Sequence, residues 1–221
     1  MSLIFRDTDT DSPVFQIHNA INPKTRESLI AEFKDQTGKG THQSSGKFVT
    51  NNDEIRNSNV AFFNNPDLYH ALWQHMTVAN YHMGLRYKIT AAEAFQFTKY
   101  DGNQKQHYDW HSDGQSDHYA ARNFVFGKAE NLSQTDQPDL VGTCRKISAS
   151  LILNDDYEGG EFQVRYFEDR DVQVRTIPPK AGDMLVFPSW MEHKIRPVTK
   201  GIRYSVAVSY THLTLPTILR V

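Results

Sequence analysis

The stretch QHYDWHSDG, residues 106–114, contains two overlapping His-x-Asp units, His107/Asp109 and His111/Asp113. In a β-strand, the side chains of residues i and i+2 point to the same face of the sheet. A histidine and an aspartate with this spacing can therefore hold one metal ion from one side. Because both units lie on the same face of the strand, periodicity alone does not decide which of them is the ligand pair.

Two ligands do not complete a metal site, and the third candidate lies far downstream at His193. A basic residue, Arg203, follows it on the next predicted strand. Two histidines and one carboxylate on one side of a metal, with open positions opposite, form the facial triad of non-haem Fe(II) oxygenases. We therefore predict an iron site built from one His-x-Asp unit and His193.

Composition restricts the function classes. The chain has 221 residues, the length of one domain, and a formal net charge of -2, which gives no electrostatic case for general nucleic-acid binding. The single cysteine, Cys144, excludes an internal disulfide and is typical of a reducing compartment. No apolar run reaches the roughly 20 residues of a membrane span, and the N-terminus lacks the apolar core of a signal peptide. We therefore expect a cytoplasmic location and no membrane partner.

The pattern of apolar residues predicts two helices followed by many short strands. Asn22-Pro23 is a typical helix start, Pro66-Asp67 opens a second helix, and the helices should end near Asp35 and Met83. Residues 86–207 alternate in short runs separated by Gly and Pro turns. The sequence thus predicts a mainly β fold: a jelly-roll core at 86–207, with the two helices of residues 1–85 packed on one sheet.

Two segments stand apart from this pattern. Residues 114–143 form a long insertion without periodicity, directly after Asp113, and we predict a lid over the substrate channel. Residues 208–221 begin VSYTHLTLPT, which looks like the translation of a sequencing adapter. We predict that the functional domain is 1–207 and that 208–221 is foreign. The alternative is a genuine C-terminal strand, and His212 is no ligand in either case.

An ordered set of motifs resembles one enzyme family. The set is similar to the 2-oxoglutarate/Fe(II)-dependent dioxygenases of the prolyl 4-hydroxylase-like group, in the form found in phage and bacterial genomes. The motifs are YDWHSD at 108–113, RKIS at 145–148, YEGGEF at 157–162, GDMLVFP at 182–188, His193, and PVTKGIRYS at 197–205.

This resemblance implies a ligand set. The family form Tyr-x-x-His-x-Asp matches Tyr108 with His111 and Asp113, so His111, Asp113 and His193 are the implied iron ligands. Arg203 is the implied partner of the distal carboxylate of 2-oxoglutarate.

The other implied cofactor contacts have lesser roles. The hydroxyl of Tyr100 is expected to reach the same carboxylate as Arg203. Ser150 and Phe162 are expected to line the cofactor pocket.

The resemblance also implies a reaction. The family's double-stranded β-helix binds Fe(II), 2-oxoglutarate and O2, with ascorbate as a reductant in some members. It couples hydroxylation of a substrate to oxidative decarboxylation of 2-oxoglutarate to succinate and CO2. The implied substrate is peptidyl proline in a peptide or protein, in a bacterial or phage-infected cell.

Other interpretations stay open from the sequence. An oxygenase of the same fold could act on another amino-acid side chain, a nucleobase or a small metabolite. A jelly-roll binding module without chemistry, or a cupin-like metal enzyme without a keto acid, are further alternatives. Arg203 argues against the cupin-like enzyme, and an arginine there leans away from the collagen-type hydroxylases, many of which use lysine.

Overall fold

A computed structural model describes residues 14–40, 42–44, 47–49, 53–114, 143–168 and 171–213. The described chain is mainly β with two helices, which confirms the predicted class. Helix α1 spans Pro23–Phe33 and helix α2 spans Pro66–His82. Each starts as predicted, with an Asn side chain accepting a hydrogen bond from a backbone N–H in the first turn and Pro at the first helical position.

The described strands form two main antiparallel sheets. In order they are β1 Phe15–Ile17, β2 Gly38–Lys39, β3 His42–Ser44, β4 Lys47–Val49, β5 Arg56–Asn57, β6 Asn59–Phe63, β7 Ala91–Ala92, β8 Phe95–Asp101, β9 His107–His111, β10 Thr143–Ile152, β11 Glu158–Gly159, β12 Phe162–Glu168, β13 Asp171–Ile177, β14 Met184–Pro188, β15 Glu192–Ile195, β16 Val198–Lys200 and β17 Ile202–Leu213. The larger sheet has the order β1-β14-β10-β17-β8-β6-β2, with β7 added on β17. The smaller has the order β13-β12-β15-β9-β5, and β11-β16 and β3-β4 form separate pairs.

One face of the larger sheet packs with the helices. On β10, the alternate residues Ile147, Ala149 and Leu151 belong to one buried cluster. The same cluster contains Leu29 and Phe33 of α1, Leu68, Leu72, Met76 and Ala79 of α2, and Val206, Val208 and Tyr210 of β17. Alternation then turns the intervening residues of β10 and β17 toward the opposite face.

The second buried cluster lies between the two sheets. It joins Tyr100, Leu185 and Phe187 of the larger sheet to Phe162 and Val164 of the smaller. Polar side chains accompany this cluster on the inner faces of β10 and β17, and they are buried: Ser148, Ser150, Arg203, Ser205, Ser209 and Thr211. An interior lined with small hydroxyl residues around one arginine is typical of a binding cavity rather than of a packed core.

The last strand extends beyond residue 207. Strand β17 pairs with β10 as far as Leu213, and Val208 and Tyr210 are buried in the core. Residues 208–213 are thus part of a central strand, whereas their foreign origin stays a prediction. Residues 214–221, and residues 115–142 of the predicted lid, lie outside the described residues.

The helices carry no metal cluster among the described residues. Of the three histidines on α2, His75 is buried and its Nε2 lies 3.2 Å from the Ala20 carbonyl oxygen, which is a packing role. Within the part of the chain described, neither helix is long and apolar enough to cross a bilayer.

Candidate metal centre and cofactor pocket

Sheet pairing brings His111, Asp113 and His193 together from distant parts of the sequence. Strands β9 and β15 are antiparallel neighbours, and their register sets His193 opposite His111. Asp113 follows the end of β9, where the Gly114 N–H donates to the Ser189 carbonyl at 2.8 Å. The ligand atoms of the three side chains all lie within 4.8 Å of one another, and this is the metal-competent group found among the described residues.

Backbone contacts fix both imidazole rings with Nε2 toward the aspartate. The His111 Nδ1 lies 2.7 Å from the Asp109 carbonyl oxygen, and the His193 Nδ1 lies 3.0 Å from the Met191 carbonyl oxygen. A carbonyl only accepts, so each Nδ1 carries the hydrogen and each Nε2 keeps its lone pair. These Nε2 atoms are 3.9 and 3.8 Å from the two Asp113 carboxylate oxygens. Two nitrogens and one carboxylate suit Fe(II).

Electrostatics keep His111 and Asp113 in their ligand forms. Burial, together with the neighbouring His193, lowers the pKa of His111 well below its ordinary value, so the ring is neutral. Burial by itself would raise the pKa of Asp113, but His193, His111 and Arg145 outweigh it and lower that pKa. A neutral imidazole beside an ionised carboxylate is the protonation state that binds a divalent metal.

The alternative pair His107/Asp109 lies outside this group. The two ring nitrogens of His107 are each 3.2 Å from a backbone carbonyl, of Lys105 and of Glu54. The Asp109 side chain is exposed, and its carbonyl orients His111. The structure therefore brings together one of the two His-x-Asp units that the sequence left open.

Arg203 is the most unusual buried residue of the interior. Its exposed fraction is 0%, and its Nη1 donates to the Ser205 hydroxyl at 2.9 Å. Its Nε and Nη2 are buried without a partner among the described residues, and no carboxylate there pairs with it. Leaving charged N–H donors buried and unpaired is costly, so the guanidinium is suited to bind an anion. A carboxylate is such an anion and accepts two parallel hydrogen bonds from a guanidinium.

The remaining predicted pocket residues occupy the same interior. Tyr100 lies opposite Arg203 in the strand register, and the guanidinium carbon is 5.4 Å from its ring centroid. Burial raises the pKa of Tyr100, so its hydroxyl remains a proton donor. Ser150 is buried on the inner face of β10, and the Phe162 ring is stacked with His193 at 5.7 Å.

Arg145 and Glu93 support the metal group, although neither was predicted as a site residue. Arg145 forms a bidentate pair with Glu93, with both N–O distances at 2.7 Å, and its Nη1 donates to the Asp113 backbone carbonyl at 2.9 Å. The sequence did show a charged residue, Arg145, near the start of the otherwise buried strand β10. Its partner Glu93 lies on a different segment, so the sequence did not reveal the pair.

A second supporting group flanks His111. The Tyr108 ring stacks on His111 with centroids 3.4 Å apart, and the Arg56 guanidinium lies 4.5 Å from the Tyr108 centroid. Burial raises the pKa of Tyr108 to about 12. From the sequence, Tyr108 indicated only which His-x-Asp unit matches the family form Tyr-x-x-His-x-Asp.

Comparison with known proteins identifies the family. A sequence model of the 2OG-Fe(II) oxygenase superfamily matches residues 95–211, which is more than half of the chain. The chain belongs to this superfamily. The family is named for Fe(II) and 2-oxoglutarate, and His111, Asp113 and His193 form a group that suits iron.

Individual relatives match this chain over shorter stretches than the family model does. Human prolyl 3-hydroxylase 2 is 45% identical over 73 residues, which is 31% of this chain and 10% of that protein. A PKHD-type hydroxylase of Cupriavidus metallidurans is 42% identical over 59 residues, 26% of this chain and 24% of that protein. The chain thus matches a quarter or less of the length of these two relatives.

The oxygenase also has relatives among solved structures. A prolyl hydroxylase from Trichoplax adhaerens, solved with a hypoxia inducible factor oxygen degradation domain peptide fragment, aligns with a TM-score of 0.63 at 17% identity. The alignment covers 90% of this chain and 84% of that one. At this identity, the likeness shows a common fold.

Proposed function

We propose that the protein is an Fe(II)- and 2-oxoglutarate-dependent hydroxylase of peptidyl proline, in the manner of the prolyl 4-hydroxylases. The observation that carries the cofactor part is the buried Arg203 guanidinium, which has two unpartnered N–H groups in the same interior as the His-Asp-His group. The proposed proline substrate is supported by the relatives, which include prolyl hydroxylases and one structure determined with a peptide fragment.

Each residue has a defined task in this proposal. His111, Asp113 and His193 would hold the iron from one side, and their Nδ1 contacts keep Nε2 available. Arg203 would bind the distal carboxylate of 2-oxoglutarate through Nε and Nη2, with the protonated Tyr100 hydroxyl donating beside it. O2 is the oxidant of the hydroxylation, and the bound iron and keto acid would supply the electrons that activate it.

The surrounding chain orients these groups and keeps water out. Phe162 packs against His193, and Ser150 completes the polar lining on β10. We infer that the two sheets form a double-stranded β-helix, with α1 and α2 on the larger sheet, since the first cluster joins those helices to that sheet.

The extent and setting of the protein follow from the same proposal. We take residues 1–207 as the functional domain, to which residues 208–213 add the end of the central strand β17. Ascorbate would serve as a reductant. A cytoplasmic site of action agrees with the single buried cysteine, Cys144.

An anaerobic titration with Fe(II), followed by 2-oxoglutarate, tests the cofactor part. The chelate should give a weak visible charge-transfer band in the parent. The band should be absent in His111→Ala and should require much more keto acid in Arg203→Ala. The matched controls are His107→Ala, on the same strand, and Arg196→Ala, a surface arginine whose side chain is 53% exposed. No band in a folded parent would refute the cofactor site.

A separate assay tests the substrate. Proline-containing peptides and the same peptides with alanine in place of proline are incubated with the loaded enzyme, and succinate and a gain of one oxygen are measured. Peptide-dependent succinate formation that needs proline supports the proposal. Turnover of only another side chain, a nucleobase or a small metabolite would refute proline as the substrate, but it would still support the oxygenase activity.

A further inference from the structure

Strand β13 is an outer edge of the smaller sheet. It pairs with β12 along an uninterrupted register from Phe162 opposite Ile177 to Glu168 opposite Asp171. Within the described ranges, no strand pairs with its other side. Its sequence, DVQVRTI, contains no proline or bulge, and its two charged residues, Asp171 and Arg175, have opposite signs, so they can pair with each other across a strand contact. The strand therefore presents a regular row of backbone donors and acceptors.

Three large apolar side chains are exposed on the outward face at this edge, beside the polar residues Gln163, Arg165 and Thr176. Phe167, Val172 and Val174 are 76%, 52% and 53% exposed, and Phe167 lies opposite Val172 in the register. All three are among the large exposed hydrophobic residues of the described chain. Adjacent exposed apolar side chains next to an unpaired edge indicate an association surface.

The order of residues along β13 is self-complementary. We propose that two copies of this chain associate by antiparallel pairing of β13 with β13, about a two-fold axis at Gln173. In that register, Asp171 of each copy faces Arg175 of the other, and Val172 faces Val174. Both charge pairs and both apolar pairs form at once, as a symmetric interface requires.

The two oxygenase centres stay separate in this arrangement. Strand β12 lies between β13 and β15, which carries His193. Val172 and Val174 are exposed, so they are not part of the buried interior that contains Arg203. One strand pair buries less area than the roughly 1,200–2,000 Å² of a stable complex. We therefore expect a concentration-dependent dimer with a dissociation constant of roughly 1–100 μM.

Sedimentation velocity of the full chain, from about 1 to about 300 μM, tests the proposal. Asp171→Arg and Arg175→Asp should each weaken self-association at least tenfold, because like charges then face each other. An equimolar mixture of the two variants should associate as the parent does, since the introduced arginine meets the introduced aspartate and the remaining native pair is also complementary. Phe62→Ser, at a half-exposed residue of the other sheet, should leave association unchanged.

The outcomes distinguish this register from association through a different surface of the chain. A parent that stays monomeric over the whole range overturns the proposal. A parent dimer that both charge variants leave intact, or a mixture that fails to recover, overturns the two-fold register. Val174→Lys gives a second test that involves no native charge and should also weaken association. The iron and keto-acid absorption band shows in each case that the variant is folded.

Discussion

Replacing Arg203 by methionine should affect cofactor binding and the stability of the apoprotein in opposite directions. The guanidinium nitrogens Nε and Nη2 are buried without a partner among the described residues, whereas Nη1 donates to Ser205. A hydrogen bond to a charged group contributes about 1.5–3 kcal/mol. Losing two of them to the keto-acid carboxylate corresponds to about 3–6 kcal/mol, or roughly 10²- to 10⁴-fold in the dissociation constant of 2-oxoglutarate.

Without keto acid, the same change should stabilise the protein. Each buried unsatisfied donor costs about 1–3 kcal/mol, and methionine fills much of the same volume with apolar atoms. After allowing for the lost bond to Ser205, we expect a gain of about 1–3 kcal/mol, or a rise in Tm of about 3–8 °C for a domain of this size. The assays are thermal unfolding of the metal-free protein in EDTA and titration of the Fe(II) protein with 2-oxoglutarate.

The paired result decides between a cofactor role and a structural role for Arg203. Tight keto-acid binding by Arg203→Met, together with a lower Tm of the apoprotein, would refute the reasoning, because Arg203 would then be a satisfied structural residue. Arg196→Met is the control, since its guanidinium lies near Glu161 on the surface and should change neither quantity.

Three further predictions test other parts of the structure. Arg145→Met removes the donor to the Asp113 carbonyl and should weaken Fe(II) binding about 10- to 100-fold by titration; unchanged affinity in a folded variant would contradict a positioning role. Burial lowers the pKa of His75 from its ordinary value of 6.5, so the unfolded chain takes up its proton first, and stability should fall as the pH drops below about 6.5. Urea unfolding of His75→Gln should show a smaller pH dependence, and an identical one would exclude this contribution. Tyr210→Phe should raise stability by about 1 kcal/mol because the buried hydroxyl has no partner in the described part of the chain, whereas Tyr210→Ala should lower it by about 3–5 kcal/mol. No loss of stability in the alanine variant would show that the end of β17 is not part of the core.

The helix starts and the types of the metal ligands were predictable because they depend on local chemistry. Asn22 followed by Pro caps a helix through contacts within a few residues, and Pro66 marked the second start, whose cap Asn65 the structure added. A His-x-Asp unit places two donors on one strand face whatever surrounds it. The order of the motifs then indicated the family, which the superfamily match confirmed.

Sequence periodicity did not choose between the two His-x-Asp units, because His107 and His111 have the same strand phase. The register of β9 against β15 brings His111 to His193, and backbone carbonyls of Lys105 and Glu54 hold His107 elsewhere. Such register depends on contacts between segments far apart in the chain, so no short window contains it.

The supporting contacts around the site were also decided by tertiary structure. Arg145 meets Glu93 across 52 residues of sequence, and the distance between them cannot be read from either segment. The chain by itself therefore determined which side chains are available for iron and keto-acid chemistry. The pairing of the sheets decided which of them converge, because it brings side chains from distant segments to within a few ångströms of one another and turns alternate residues of each strand to the interior.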